Sequence, residues 1–496
     1  MKSETDRDPA GPSPAEPSAE PPTEASPGPS PEPSAAPLRA VLRRSAEAAD
    51  RAMVGGIVKI TARPLGPYQS AVVRIGFALA WLLYLLFEWP NRHELYGPDG
   101  PWSWELGRRL IETNNAFTAL MWSDSTVWFE IVYAVAVLSG AALLVGWRTR
   151  TMSVLFMLGV LSLQNRSVFM GDGGDNVIHL MAIYLVFTRC GRVWSLDARR
   201  RARRPEAGPD GPGGDPVGVA LWSVLGAVLL GITVRGDLDW FGGTGPVPFL
   251  GWATVLWGLW LAHALWWAVR PRPAEAAAAP SEAADTGPAD TAGPAPEGED
   301  RPGGRDRRTD ARRFLDVLTN VVHNAALLVI MVEVCFIYAT AGWYKIQGSR
   351  WQDGTALHYP LNLDYFTPWP ALSEALGSNG VLVMLITYGT VIVQVAFPFT
   401  LFNRRVKNVL LAVMMLEHAS IAVVLGLPFF SLAMIAADAV FLPTAFLVWL
   451  GARTARNTGR LRRFARRGER DGAAGEPAGP DGGTGSGADS PRTLVG

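Results

Sequence analysis

Residues 127–146 read VWFEIVYAVAVLSGAALLVG, a run in which Glu130 is the sole acidic or basic side chain. At 1.5 Å per residue these twenty residues make a helix of about 30 Å, the thickness of a bilayer's hydrocarbon core. A helix apolar on every face needs an apolar surround, so a membrane is the expected solvent. Working outward, nine comparable runs occur at 71–87, 152–170, 175–187, 217–234, 247–269, 314–340, 381–402, 409–425 and 428–449. The runs at 152–170 and 175–187 are the weakest: the first ends in Gln164, Asn165 and Arg166, and the second is short. They are expected to form a helical hairpin, polar-lined by Gln164, Asn165, Arg166, Asp172, Asp175 and Asn176 and facing the bundle interior or its outer mouth. The expectation is an all-α polytopic transmembrane bundle of about ten helices.

The placement of positive charge orients this bundle. With both termini cytoplasmic, the connections and flanks on the inner side carry 34 Lys and Arg, against seven on the outer side (Arg92, Arg108, Arg109, Arg166, Arg235, Lys345 and Arg350). That asymmetry is what the positive-inside rule requires. It implies a multi-pass protein of the cell membrane, in contact with the lipid bilayer. The whole chain holds 45 basic and 45 acidic residues, so no net basicity points to nucleic acid as a partner.

Composition divides the chain further. Residues 1–37, 271–309 and 471–496 are rich in Pro, Ala, Gly and acidic residues and cannot bury enough apolar surface to order a backbone. The organisation expected is an N-terminal disordered tail (1–37), six helices (38–270), a disordered cytoplasmic linker (271–309), four helices (310–452), and a basic, then disordered, C-terminal tail (453–496). The start lacks the basic and apolar regions of a cleavable signal peptide, so the first membrane helix should direct insertion. The two cysteines, Cys190 and Cys335, lie on separate segments, and no Cys/His cluster suggests a metal.

Ionisable residues inside membrane segments are costly and are the default candidates for function. They are Arg74, Glu88, Glu130, His179, His263, Glu333, Glu417, His418 and Asp438. Arg74, Glu88 and Glu130 lie near segment ends and are expected to snorkel to the interface. His263, among tryptophans, reads as a packing residue. The strongest local signal is 338–359, YATAGWYKIQGSRWQDGTALHY. Here Ala341 and Gly342 permit close helix packing, and Lys345 leaves the membrane beside Tyr344 and Trp351. Two readings of Lys345 stand open: an interfacial anchor in an aromatic belt, or a base in an aromatic-walled pocket.

The pattern Ala341-Gly342-x-x-Lys345, followed by Trp351 and Gly354, resembles the signature of the vitamin K-dependent gamma-carboxylase-like superfamily, also called the horizontally transferred transmembrane domain. Two further segments agree in order: Gly191-Arg192-Val193-Trp194-Ser195-Leu196-Asp197, which looks like that family's Trp-Ser-x-Asp turn, and His418 ahead of Gly426, Pro428, Phe429 and Phe430. The resemblance implies that Lys345 is a base that deprotonates a reduced quinone, whose anion then reacts with oxygen. It also implies Asn176, His179 and His418 as polar partners. The carboxylases place His directly after Asn; here Asn176 is followed by Val177, with His179 beyond it. Three functions follow: an enzyme on a quinone or other lipid-soluble substrate, a non-catalytic partner in maturation or export of a peptide, and a small-molecule transporter. Lys345 and His418 are expected to flank one cavity near the outer face.

Overall fold

The computed structural model describes residues 36–114, 116–203, 216–242, 249–269 and 305–457. The expected disordered tails and most of the linker therefore lie outside the described residues. The chain divides into two compact units, Met1–Val58 and Lys59–Gly496. In the first, the described residues belong to helix α1 (Ala36–Ala62), which continues past the boundary. The other helices belong to the second unit.

This unit is helical, apart from a two-residue antiparallel pair, Phe241–Gly242 with Phe249–Leu250. Its longer helices are α2 (Pro67–Phe87), α5 (Thr126–Val145), α6 (Thr149–Arg166), α7 (Gly173–Val186), α9 (Pro216–Arg235), α10 (Trp252–Ala268), α11 (Arg305–Gln347), α15 (Gly380–Ala396), α16 (Arg404–Val424), α17 (Pro428–Asp438) and α18 (Thr444–Asn457). Short helices α3 (Arg92–Tyr96), α4 (Trp104–Asn114), α8 (Leu196–Ala202), α12 (Ser349–Gln352), α13 (His358–Leu361) and α14 (Pro370–Gly377) fill the connections. Among the described residues six helices, α2, α5, α9, α11, α15 and α16, are long and apolar enough to cross a membrane, or seven if the bent pair α17 and α18 counts as one. Every apolar run of the sequence is helical over most of its length, but four depart from a full straight crossing. Helices α6 and α10 have 18 and 17 residues and α7 has 14; at 1.5 Å per residue α7 is roughly 21 Å long, short of the hydrocarbon thickness.

The fourth departure is the last run, expected to be continuous and instead bent by 117° between α17 and α18. Pro443 explains it: proline has no amide hydrogen, and it drives the residue before it to extended geometry. Leu442 accordingly has φ −62° and ψ 138°. The carbonyls freed at the break are not left bare, because Lys407 Nζ donates to Phe441 O and Gln69 Nε2 donates to Leu442 O. At its other end α17 follows α16 through the expected turn, with Gly426 at φ +68° and Pro428 in the first helical turn. Helix α11 begins at Arg305, so the last residues assigned to the linker are helical.

The core gathers α2, α5, α6, α7 and α17 around Phe77, Trp81, Tyr133, Phe156 and Leu185, all inaccessible to solvent. Small residues set the spacing. A Cβ on Gly76 would lie 2.4 Å from that of Ala436, and one on Gly159 would lie 2.9 Å from that of Ala136, the close approach that small residues allow in membrane bundles.

Arg74 is fully buried and does not snorkel to an interface. Its guanidinium donates to the carbonyls of Leu143 and Leu144 at the end of α5, and to those of Cys190 and Trp194 in the loop after α7. The same loop holds the start of α6. Asp197 accepts hydrogen bonds from Arg148 N, Thr149 N and Thr149 Oγ1 at 2.9, 2.8 and 3.0 Å, while Ser195 Oγ accepts from Ala198 N and donates to Gly191 O. Arg148 and Trp194, at φ 46° and 50°, take left-handed backbone that non-glycine residues rarely adopt. The Asp197 carboxylate and the Arg74 guanidinium hold those two peptides in place.

Candidate functional site

Lys345 lies two residues from the end of α11, half-buried. Its Nζ donates to Gln394 Oε1 at 2.7 Å, and Gln394 Nε2 donates to Glu417 Oε1 at 2.7 Å. The ammonium also sits 5.2 Å from the centre of the Trp351 ring. Three helices thus build one polar line, Lys345 from α11, Gln394 from α15 and Glu417 from α16. Close packing makes the reach possible: a Cβ on Gly342 would meet Val395 Cγ2 at 2.5 Å. Gly354, at φ +77°, makes the turn after α12, which carries Trp351. The amide in the middle has a fixed polarity, its oxygen toward the lysine and its nitrogen toward the carboxylate.

His418, the residue after Glu417, belongs to a second group. Tyr338 donates its hydroxyl to Asp438 Oδ1 at 2.9 Å, and His418 Nε2 lies 3.1 Å from the same hydroxyl. Because the single phenolic hydrogen goes to the carboxylate, His418 Nε2 must be the donor in the second contact. That leaves His418 Nδ1 as a lone pair, and it has no hydrogen-bond partner; neither has Asp438 Oδ2. Both residues are buried, at 2% and 0% exposure. Phe430 and the Tyr338 ring lie against the imidazole, and Phe397 packs on the other ring, that of Tyr338. Tyr338 and Lys345 are seven residues apart and so share a face of α11.

Asn176 and His179 lie elsewhere. They line a cavity of about 140 Å³ with Tyr84, Tyr96, Gln164, Asn165, Ser167 and Asp175. His179 Nδ1 is 3.0 Å from Gln164 Oε1, Gln164 Nε2 donates to Asp175 O, and the hydroxyls of Tyr84 and Tyr96 are 2.7 Å apart. Burial pushes the Tyr96 phenol well above its ordinary range, so it stays protonated. Arg166 is buried and donates to Gly97 O and Trp102 O, and Asn165 donates to Phe117 O. The polar hairpin of α6 and α7 therefore keeps Gln164, Asn165, Arg166 and Asp175 buried or half-buried, as its sequence suggests, whereas Asn176 is exposed at the cavity's edge and the exposed Asp172 caps α7 through Gly174 N and Asp175 N.

The four residues singled out by the sequence thus divide. Neither Lys345 nor His418 lines the cavity that holds Asn176 and His179. Phe430 stands between the groups: its ring is 5.7 Å from that of His418, and its Cα would lie 2.7 Å from a Cβ on Gly174. A larger open groove of about 390 Å³ along α16, lined by Asn408, Val409, Ala412, Val413 and Leu416, has no ionisable side chain. Glu130, near the start of α5, forms an ion pair with Arg92 at 2.9 Å and lies 2.7 Å from His93 Nε2. Glu88 accepts from Asn91 Nδ2 at 3.4 Å, while Glu333 and His263 are half-buried on α11 and α10.

Several polar partners escape a reading by charge alone. Tyr338 and Gln394 are uncharged; the signal for Gln394 is a lone carboxamide in the apolar run of α15. A polar stripe on α11, Asn320, His323 and Asn324, is likewise buried. His323 accepts from Arg189 N and donates to Leu65 O, Asn320 donates to Thr61 O, and Asn324 donates to Ile60 O and accepts from Leu65 N. Among the described residues no group of His, Cys, Asp and Glu is placed to hold a metal ion. No protein family, characterised protein or solved structure matches this chain.

Proposed function

We propose that this chain is a multi-pass protein of the cell membrane, resembling the gamma-carboxylase-like superfamily, that removes a proton from a lipid-soluble hydroxyl compound such as a reduced quinone. Ten membrane segments with both termini cytoplasmic put Lys345 at the outer face; the helical character of all ten apolar runs and the inner bias of Lys and Arg support that topology. The observation that carries the chemistry is the line Lys345–Gln394–Glu417. In the step proposed, the lone pair of a neutral Lys345 amine takes the hydroxyl hydrogen, the O–H bond breaks, and an ammonium and a quinolate anion remain. The Glu417 carboxylate, acting through the Gln394 amide, stabilises the ammonium and so strengthens the base. Trp351 beside the amine, with exposed Trp343 and Tyr344 nearby, offers aromatic surface to which a flat quinol ring is suited. The quinolate's onward reaction would need oxygen, as the resemblance implies.

The test uses the full chain in lipid nanodiscs with a reduced short-chain naphthoquinone, following oxygen uptake above the protein-free rate. General-base catalysis contributes about 10² to 10⁴ in rate, so Lys345→Met should lose at least about a hundredfold while still folding. An equal rate in Lys345→Met removes the base assignment and leaves the anchor. A second reading, a non-catalytic partner in maturation or export of a peptide, is favoured by the separation of Lys345 from Asn176 and His179. Absence of any hydroquinone-dependent uptake in the wild type would decide for it.

A further inference from the structure

Two arginines are fully buried among the described residues, Arg74 and Arg166, and they are satisfied unequally. Arg74 directs Nε, Nη1 and Nη2 at four carbonyls. Arg166 donates through Nη2, to Gly97 O at 2.9 Å and Trp102 O at 2.6 Å, while its Nη1 is buried with no hydrogen-bond partner. No Asp or Glu among the described residues forms an ion pair with it. A buried cation without a counter-charge is costly, above all inside a membrane bundle. A second donor in the same condition stands beside it: Trp102 Nε1 is buried and also has no partner. Both nitrogens converge on Gly107, in the first turn of α4. A Cβ there would lie 3.1 Å from Arg166 Nη1 and 3.4 Å from Trp102 Nε1, its two nearest neighbours. The positive end of a helix dipole adds to the field at this point. Solvent is close, because Trp102 is half-exposed and its ring packs edge-on, 5.0 Å between centres, against Phe169, which is 69% exposed.

We propose that Arg166 Nη1 and Trp102 Nε1 bind chloride over Gly107, the Trp102 ring swinging outward to admit the ion and closing on it with its own N–H. Guanidinium and indole nitrogens donate and cannot accept, so the ligand is an acceptor, and the uncompensated charge of Arg166 makes it an anion. A monatomic anion suits the place best. Neither nitrogen meets solvent, which leaves little room for the substituents that a carboxylate or a phosphate ester carries. The bound ion would offset the buried guanidinium and fasten the loop of residues 97–103, whose Gly97 and Trp102 carbonyls Arg166 already holds, to the end of α6. The inference does not depend on the chemistry proposed for Lys345.

The test is thermal unfolding of the full chain in lipid nanodiscs, followed by far-UV circular dichroism, in sodium chloride or in sodium gluconate of equal ionic strength. Gluconate is too bulky for the site. Chloride should raise the midpoint saturably in the wild type, as a ligand that binds only the folded state does, and ³⁵Cl NMR should show line broadening by the same sample. Gly107→Ala places a methyl group where the two donors meet and should abolish both effects. Trp102→Phe keeps the ring against Phe169 and removes one N–H, so the chloride concentration for half the effect should rise about tenfold; this variant decides the matter if Gly107→Ala folds poorly. Equal midpoints in the two salts for the wild type, or an unchanged chloride dependence in Trp102→Phe, would overturn the proposal. Stronger stabilisation by acetate than by chloride would overturn it too, in favour of a carboxylate ligand.

Discussion

Arg74→Met removes a side chain that ties α2 by hydrogen bonds to the end of α5 and to the loop after α7. In the structure the guanidinium satisfies four carbonyls, those of Leu143, Leu144, Cys190 and Trp194. Hydrogen bonds to a charged group contribute about 1.5–3 kcal/mol each, so the gross loss is large. Against it stands the cost of burying the charge, several kcal/mol, which the methionine no longer incurs. The net expectation is a loss of about 3–5 kcal/mol, as when one partner is taken from a buried charged network. Arg74→Lys keeps the charge but not the planar fork, and should fall between the two. Stability can be read from unfolding in mixed micelles titrated with dodecyl sulfate, followed by far-UV circular dichroism. Cys190 gives a local readout. It is buried, its carbonyl accepts from Arg74, and burial pushes its thiol up, so it should react slowly with maleimide. In the Met variant that reaction should quicken, while that of half-buried Cys335 on α11 stays the same. A loss below about 1 kcal/mol with no change at Cys190 would refute the network as a staple.

Two further outcomes follow from the same structure. Tyr338→Phe strips Asp438 Oδ1 and His418 Nε2 of their shared hydroxyl and should cost about 2–5 kcal/mol in the same unfolding titration, since each buried polar group left bare costs about 1–3. Single cysteines placed in 271–304 should resist a membrane-impermeant maleimide in intact cells, while those in 90–123 should label; labelling of the former would break the ten-segment count and the cytoplasmic placement of the termini.

The helices were legible in the sequence because an apolar run of membrane length admits few alternatives, and each of the ten runs is helical. What the sequence hid was where helices stop. The break in the last run depends on Pro443, whose effect on Leu442 is local, but whose tolerance in the core depends on Lys407 and Gln69 arriving from other helices to take the freed carbonyls. Arg74 was misjudged for a related reason. Position near a segment end suggests snorkelling, yet the end of α5 and the loop after α7 bring four carbonyls to it, and no linear reading reveals that meeting. For the site, charge picked out Lys345, Glu417, His418 and Asp438, but not the neutral Gln394 and Tyr338 through which they are connected.

The residues around the Trp194 turn and the end of α11 divide, by what they touch, into scaffold and chemistry. Ser195 and Asp197 cap α8 and α6, Trp194 gives its carbonyl to Arg74, Gly342 admits Val395, and Gly354 turns the chain after Trp351. Each of these contacts holds backbone or packs helices, whatever chemistry the chain performs. Lys345 and His418 differ, because their polar partners, Gln394–Glu417 and Tyr338–Asp438, cap no helix end and satisfy no backbone group. Side-chain pairs of this kind, drawn from three helices and partly stripped of water, are expensive to maintain in an apolar bundle. The turn motif therefore belongs to the scaffold, and the activity proposed for this chain rests on the lysine line, which is why Lys345→Met is the decisive variant for function and Arg74→Met the decisive one for fold.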